Sequence, residues 1–87
     1  MTEIPFTQYL RPNGRAVPVF FQCEDPEVLE KAERIMAAGY RFECEELMDG
    51  TVSLTIGDED SDEAWELCLN GPEVPKAVER LVMGFEL

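Results

Sequence analysis

The chain of 87 residues holds 19 acidic against 7 basic side chains, a formal net charge of −12, and no histidine. The lack of histidine removes the usual general base near neutral pH, the commonest metal ligand and every histidine-dependent nucleophile scheme. The length, with 45 % hydrophobic and 30 % charged residues, fits one domain over residues 1–87 with a single core, and argues against disorder.

In chain order, residues 6–11 read as a first strand. The following Pro12-Asn13-Gly14-Arg15 is a hairpin signal, because Asn and Gly tolerate positive φ. The returning strand, 17–23, aligns Val17, Val19, Phe21 and Cys23 on one face. Pro18 within it lacks an N–H and suits an edge strand or a bulge. Asp25 is placed to cap a helix that Pro26 opens. That helix is expected over 26–38, with Val28, Leu29, Ala32, Ile35 and Met36 as its apolar stripe and Gly39 as its stop.

Residues 40–47 alternate, with Tyr40, Phe42 and Cys44 on one side and Arg41, Glu43 and Glu45 on the other. Asp49-Gly50 marks a second hairpin, and residues 51–57 return with Val52, Leu54 and Ile56 inward. The acidic stretch 58–63 is expected as a loop. A fifth strand then turns Trp65, Leu67 and Leu69 inward. Asn70-Gly71 turns the chain, and Pro72 opens a second helix lined by Val74, Ala77, Val78, Leu81, Val82 and Phe85. The predicted fold is α+β in the order ββαβββα. It is a single antiparallel sheet of about five strands with both helices on its apolar face and the other face open to water. Pro26-Glu27-Val28 and Pro72-Glu73-Val74 share their spacing to later helical residues. A duplicated ββα unit over 6–39 and 51–86 would explain this, and so would two helices meeting similar packing needs.

Cys23, Cys44 and Cys68 cannot all pair within one chain and show no C-x-x-C or metal-ligand spacing. They read as small hydrophobes in a reduced compartment. No apolar run approaches the ~20 residues that cross a bilayer. Residues 1–5 have neither the basic region nor the apolar core of a signal peptide. A cytoplasmic location away from membranes is expected.

The charge is unevenly placed. Between residues 42 and 75 stand Glu43, Glu45, Glu46, Asp49, Asp58, Glu59, Asp60, Asp62, Glu63, Glu66 and Glu73, with no Lys or Arg among them. Such a field repels nucleic acid and anionic membranes and attracts basic surfaces. Glu43, Glu45 and Glu66, with Thr51, Ser53 and Thr55, are expected on the outward face, where alternate residues stand about 6.6 Å apart. With Glu46 and the loop acids Asp58, Glu59, Asp60, Asp62 and Glu63, they form the candidate partner-binding site. The competing reading is a solvated face that maintains solubility. Carboxylate pairs can catalyse, as in glycosidases, but these stand on solvent-facing positions, and no enzyme is expected. Asp58-Glu59-Asp60-Ser61-Asp62 opens like a calcium loop, yet its sixth position is Glu63 and its twelfth Leu69, so neither the required Gly nor the bidentate Glu is present. No cofactor or metal is expected. Phe20, beside Pro18 on an edge strand, is a candidate self-association point.

Phe6-Thr7-Gln8-Tyr9-Leu10-Arg11-Pro12-Asn13-Gly14-Arg15, Pro18-Val19, Ala37-Ala38-Gly39-Tyr40-Arg41-Phe42-Glu43, Val52-Ser53-Leu54 and Asn70-Gly71-Pro72 together resemble a family of small acidic proteins encoded in phages and prophages of proteobacteria. The resemblance implies a bacterial cytoplasm and a phage-related role, and it carries no catalytic motif. Small acidic phage proteins often block host machinery, CRISPR effector complexes included. The expected function is therefore a non-enzymatic, anti-CRISPR-like inhibitor. In the manner of a DNA mimic, it would occlude a basic, nucleic-acid-binding surface of a bacterial protein without binding nucleic acid itself. The alternative is a small phage structural or assembly protein that self-associates. Monomer and homodimer both remain open at this point.

Overall fold

The computed structural model describes residues 2–10 and 13–87. Its elements are β1 (Glu3–Leu10), β2 (Arg15–Gln22), α1 (Pro26–Ala37), β3 (Arg41–Glu46), β4 (Thr51–Gly57), β5 (Asp62–Leu69) and α2 (Glu73–Gly84). This is the α+β order ββαβββα. The five strands form one sheet in the order β2-β1-β3-β4-β5. Among the described residues, no helix is long and apolar enough to cross a membrane.

The sheet is mixed and not wholly antiparallel. β1 and β3 run parallel, paired at Thr7↔Glu43 and Gln8↔Cys44, while the other strand pairs are antiparallel. A helical crossover between β2 and β3 lets β3 return alongside β1, and local alternation carries no information about that choice. The short parallel ladder has a local cause. Pro5 opposes Phe20 at a position whose N–H would point toward β3, and proline has none to give.

The turns follow their residues. Asn13 Oδ1 accepts the Arg15 N–H at 3.0 Å, and Gly14 has φ +69°. Arg11 and Pro12, expected as strand end and turn, lie outside the described residues. Asp25 caps α1 by accepting the Glu27 N–H at 2.9 Å, with Pro26 in the first turn. α2 starts at Glu73, after Pro72 at the N-cap position, without a side-chain cap. It is anchored instead by burial of Val74, Ala77, Val78, Leu81 and Val82.

One buried cluster joins these elements. It includes Ile4, Phe6, Val28, Ala32, Ile35, Phe42, Leu54, Ile56, Leu81, Val82 and Phe85. Phe6 meets Phe21 edge-on at 5.0 Å and Phe42 at 5.2 Å between ring centroids. Tyr40 meets Phe85 edge-on at 5.0 Å, which fixes the chain leaving α1 to the end of α2. Truncating a fully buried member such as Ile35 to Ala would cost about 2–5 kcal/mol.

β5 reverses the expected facing. Trp65, Leu67 and Leu69 point to the open side and are 65 %, 49 % and 59 % exposed. Ala64, Glu66 and Cys68 face the helices, opposite Ile56, Leu54 and Val52. The cause is a bulge. Gly57 pairs with Asp62, but Ile56 pairs with Ala64, so Glu63 is an extra residue on β5. Were Glu63 instead paired with Ile56 in an unbroken ladder, Leu54 would oppose Trp65 and Val52 would oppose Leu67, the facing that the apolar alternation predicts. A slip of one residue turns the whole set over.

Candidate functional site: the open face of the sheet

The strand register arranges the open face in rows. One row runs Pro18, Thr7, Glu43, Thr55, Trp65 across the five strands. The next runs Glu45, Ser53, Leu67, and Tyr9 lines the same depression as Glu45. Glu43 and Glu45 thus stand mid-sheet, half-buried, with hydroxyls beside them and apolar residues toward the β5 edge. Tyr9, Glu43, Glu45, Ser53, Thr55 and Asp62 line a shallow depression of ≈ 180 Å³. Thr55 Oγ1 donates to the Glu43 carbonyl at 3.4 Å.

Arg41 is a base on this face. Its Nε lies 3.7 Å from Glu43 Oε1, and its Nη2 donates to the Asp58 carbonyl at 3.3 Å. It ties the central carboxylate to the acidic turn at 58–61. That turn is built by Asp58, whose Oδ1 accepts the Asp60 and Ser61 N–H groups at 3.0 and 2.9 Å. The Ser61 hydroxyl stands 3.2 Å from the same oxygen and 3.1 Å from Glu63 Oε1. The backbone donors of Asp60 and Ser61, first in weight, hold the Asp58 carboxyl below the usual Asp range. The turn closes against Gly57, where a Cβ would stand 2.5 Å from the Ser61 carbonyl oxygen. Only glycine fits that approach.

The nine expected site acids fall into three groups. Glu43 and Glu45 lie on the open face, and Asp58, Glu59, Asp60, Asp62 and Glu63 border it. Asp62 and Glu63 belong to β5, so the loop expected over 58–63 is shorter. Glu66 is a correction, since it was expected on the open side and faces the helices; Glu46 also lies off the open side. Glu66 Oε2 pairs with Arg80 of α2 at 3.6 Å. Glu46 opposes Val52, shares its strand face with Phe42 and Cys44, and accepts from Asn70 Nδ2 at 3.4 Å. Trp65, Leu67 and Leu69 are the residues that sequence reasoning missed. Their alternation was visible, but nothing in the residues 62–64 announces a bulge.

Phe20 is 57 % exposed on β2, the opposite edge strand. All three cysteines are free and buried. Burial, aided by the Glu46 charge, pushes the Cys44 thiol up to about 11. Burial likewise raises Cys68, which leaves both thiols far from reactive. Among the described residues, no three acidic or sulfur side chains converge as a metal-ligand set, and no charged side chain is buried.

No protein-family model, no curated protein and no solved structure matches the chain, so the resemblance to phage-encoded proteins stands on the quoted residues alone.

Proposed function

We propose that this chain is a non-enzymatic binding protein whose open sheet face docks on a basic surface of a partner protein. The observation that carries this reading is the outward placement of Trp65 and Leu67 beside Glu43 and Glu45. A merely solvated face has no reason to expose a tryptophan and two leucines in one line. An apolar strip framed by carboxylates has the anatomy of an interface, with aromatic anchors and a polar rim. Two central carboxylates and a bordering acidic turn suit a Lys- or Arg-bearing surface. In the bacterial, phage-related setting implied by the resemblance, that surface belongs to a nucleic-acid-binding protein, such as a CRISPR effector complex, which the chain would occlude. The removal of Glu46 and Glu66 from the face leaves fewer carboxylates to imitate a phosphate row, so the reading leans on the apolar strip as much as on charge.

Self-association through Phe20 has weaker support. Two copies would each bring a net charge of −12, and Pro18 interrupts the backbone donors of that edge.

The test is capture of partners by the tagged chain from bacterial lysate containing a CRISPR effector complex, at low and high salt. Retention of a nucleic-acid-binding protein, its release by competing DNA, and its loss with folded Glu43→Lys/Glu45→Lys would support the reading. Retention unaffected by those reversals would contradict it.

A further inference from the structure

We infer that the free edge of β5 takes up an extended, basic segment of the partner as an added strand, held through the backbone of Trp65 and Leu67. The inference rests on the docking reading above and specifies the form of the partner.

The hydrogen-bond phase of β5 is fixed at its end. The Asn70 N–H donates to the Gly50 carbonyl at 3.3 Å, which continues the β4–β5 register. In an antiparallel ladder every second pair exchanges hydrogen bonds. The bonded pairs are therefore Cys68/Val52, Glu66/Leu54 and Ala64/Ile56. The intervening Trp65, Leu67 and Leu69 direct their N–H and C=O groups away from β4. Leu69 agrees with this phase, because its N–H donates to Glu73 Oε2 at 3.1 Å and to no strand. Trp65 and Leu67 present theirs at the sheet edge.

The two edges of the sheet differ. On β2, the Cys23 N–H donates to the Thr2 carbonyl at 3.0 Å, and the same alternation directs Ala16, Pro18, Phe20 and Gln22 outward. Pro18 sits in the middle of that row with no N–H, a common way to blunt an edge. β5 has no such residue between its bulge at Glu63 and the Glu73 contact. The backbone groups left open belong to Trp65 and Leu67, whose apolar side chains are themselves exposed. An added strand gains main-chain hydrogen bonds from the first and side-chain contact from the second.

Charge selects the occupant. Asp62, Glu63 and Glu66 flank the open groups, and Arg80, the nearby base, is paired with Glu66. A second copy is disfavoured. Antiparallel pairing of two β5 edges through Trp65 and Leu67 would set Glu66 directly opposite its own counterpart. A strand with Lys or Arg and apolar residues at alternate positions meets carboxylates on one side and Trp65 and Leu67 on the other.

The test measures amide hydrogen exchange on the full, isotopically labelled chain, alone and with a short blocked peptide of alternating lysine and valine. At a peptide concentration about ten times its dissociation constant, exchange at Trp65 and Leu67 should slow by about tenfold. The same peptide N-methylated at alternate residues should give no slowing. Leu67→Pro, which deletes an outward N–H outside the β4 ladder, should lose the effect while keeping a folded spectrum. Peptide-induced changes at Glu43 and Glu45 without slowing at Trp65 and Leu67 would overturn the edge inference and leave face docking standing. No response anywhere would count against both. Slowing that depends on protein concentration without peptide would assign the edge to a second copy and overturn the basic-strand occupant.

Discussion

Glu66 Oε2 lies 3.6 Å from the Arg80 guanidinium on the helix side of the sheet, while Trp65, its neighbour in the chain, stands on the open side. This ion pair fastens β5 to α2 and reports the facing of the whole strand. Both partners are substantially exposed, so the pair contributes about 0.2–1 kcal/mol. Glu66→Lys is expected to lower stability in urea unfolding by about 1 kcal/mol or less, through loss of the pair and repulsion with Arg80. It should also weaken uptake of a basic strand at the β5 edge, whereas reversal at Glu43 and Glu45 reports on the open face.

Trp65→Ala separates stability from binding. The side chain is 65 % exposed, so the unfolding free energy should change by roughly 0.5 kcal/mol or less. As an aromatic anchor in an interface, the same truncation should weaken partner binding by about 2 kcal/mol. Paired urea unfolding and binding titrations check both figures.

Glu63 is the extra residue of the β5 bulge. Deleting Glu63 would join Asp62 directly to Ala64 and close the ladder with Ala64 still opposite Ile56 and Trp65 still opposite Thr55, so Trp65 and Leu67 should stay on the open side. The deletion variant is expected to keep the long-wavelength emission of an exposed tryptophan, whereas a shift to the blue would contradict the placement of the bulge at Glu63.

These predictions also show how far the residues themselves announce the fold. The hairpins at Asn13-Gly14 and Asp49-Gly50, the Asp25-Pro26 helix start and the two amphipathic stripes are local signals, and each appears in place. The parallel meeting of β1 and β3 depends on how a helix carries the chain across the sheet, which no local pattern encodes. Half of the site was legible, since the alternation of residues 41–45 places Glu43 and Glu45 correctly. Glu66 and Trp65 exchanged sides because one unpaired residue reverses a period-two pattern. Apolar character predicted Trp65 inward, and the tight turn at Gly57 with its bulge overrode it.

Acid should weaken the turns at Asp49 and Asp58 in a definite direction. The Asp49 carboxyl is lowered first by the Thr51 hydroxyl, at 2.6 Å, and then by the Thr51 N–H. Asp58 is lowered by its backbone donors. A carboxyl lowered in the folded state stabilises fully above its ordinary value, and the contribution is lost as pH falls through the lowered folded value. Protonation of the other carboxylates relieves repulsion and acts the opposite way. The check therefore compares wild type with Asp49→Asn and Asp58→Asn: the variants should be less stable at neutral pH, and the differences should shrink in acid.

The buried thiols should behave as packing groups. With the Cys44 thiol pushed up to about 11, a disulfide reagent at mildly alkaline pH should modify the native protein slowly. All three thiols should react rapidly in denaturant. Fast reaction of Cys44 in the native state would contradict its burial.

Quenching of the single tryptophan tests the central relationship, an exposed aromatic residue inside an acidic field, most directly. Trp65 emission should be quenched readily by neutral acrylamide and by caesium, which a negative surface attracts, but much less by iodide, which it repels. The difference between the two ions should fade as inert salt is added. Emission resistant to all three quenchers would place Trp65 in the core. Equal quenching by caesium and iodide at low salt would remove the acidic setting on which the docking reading depends.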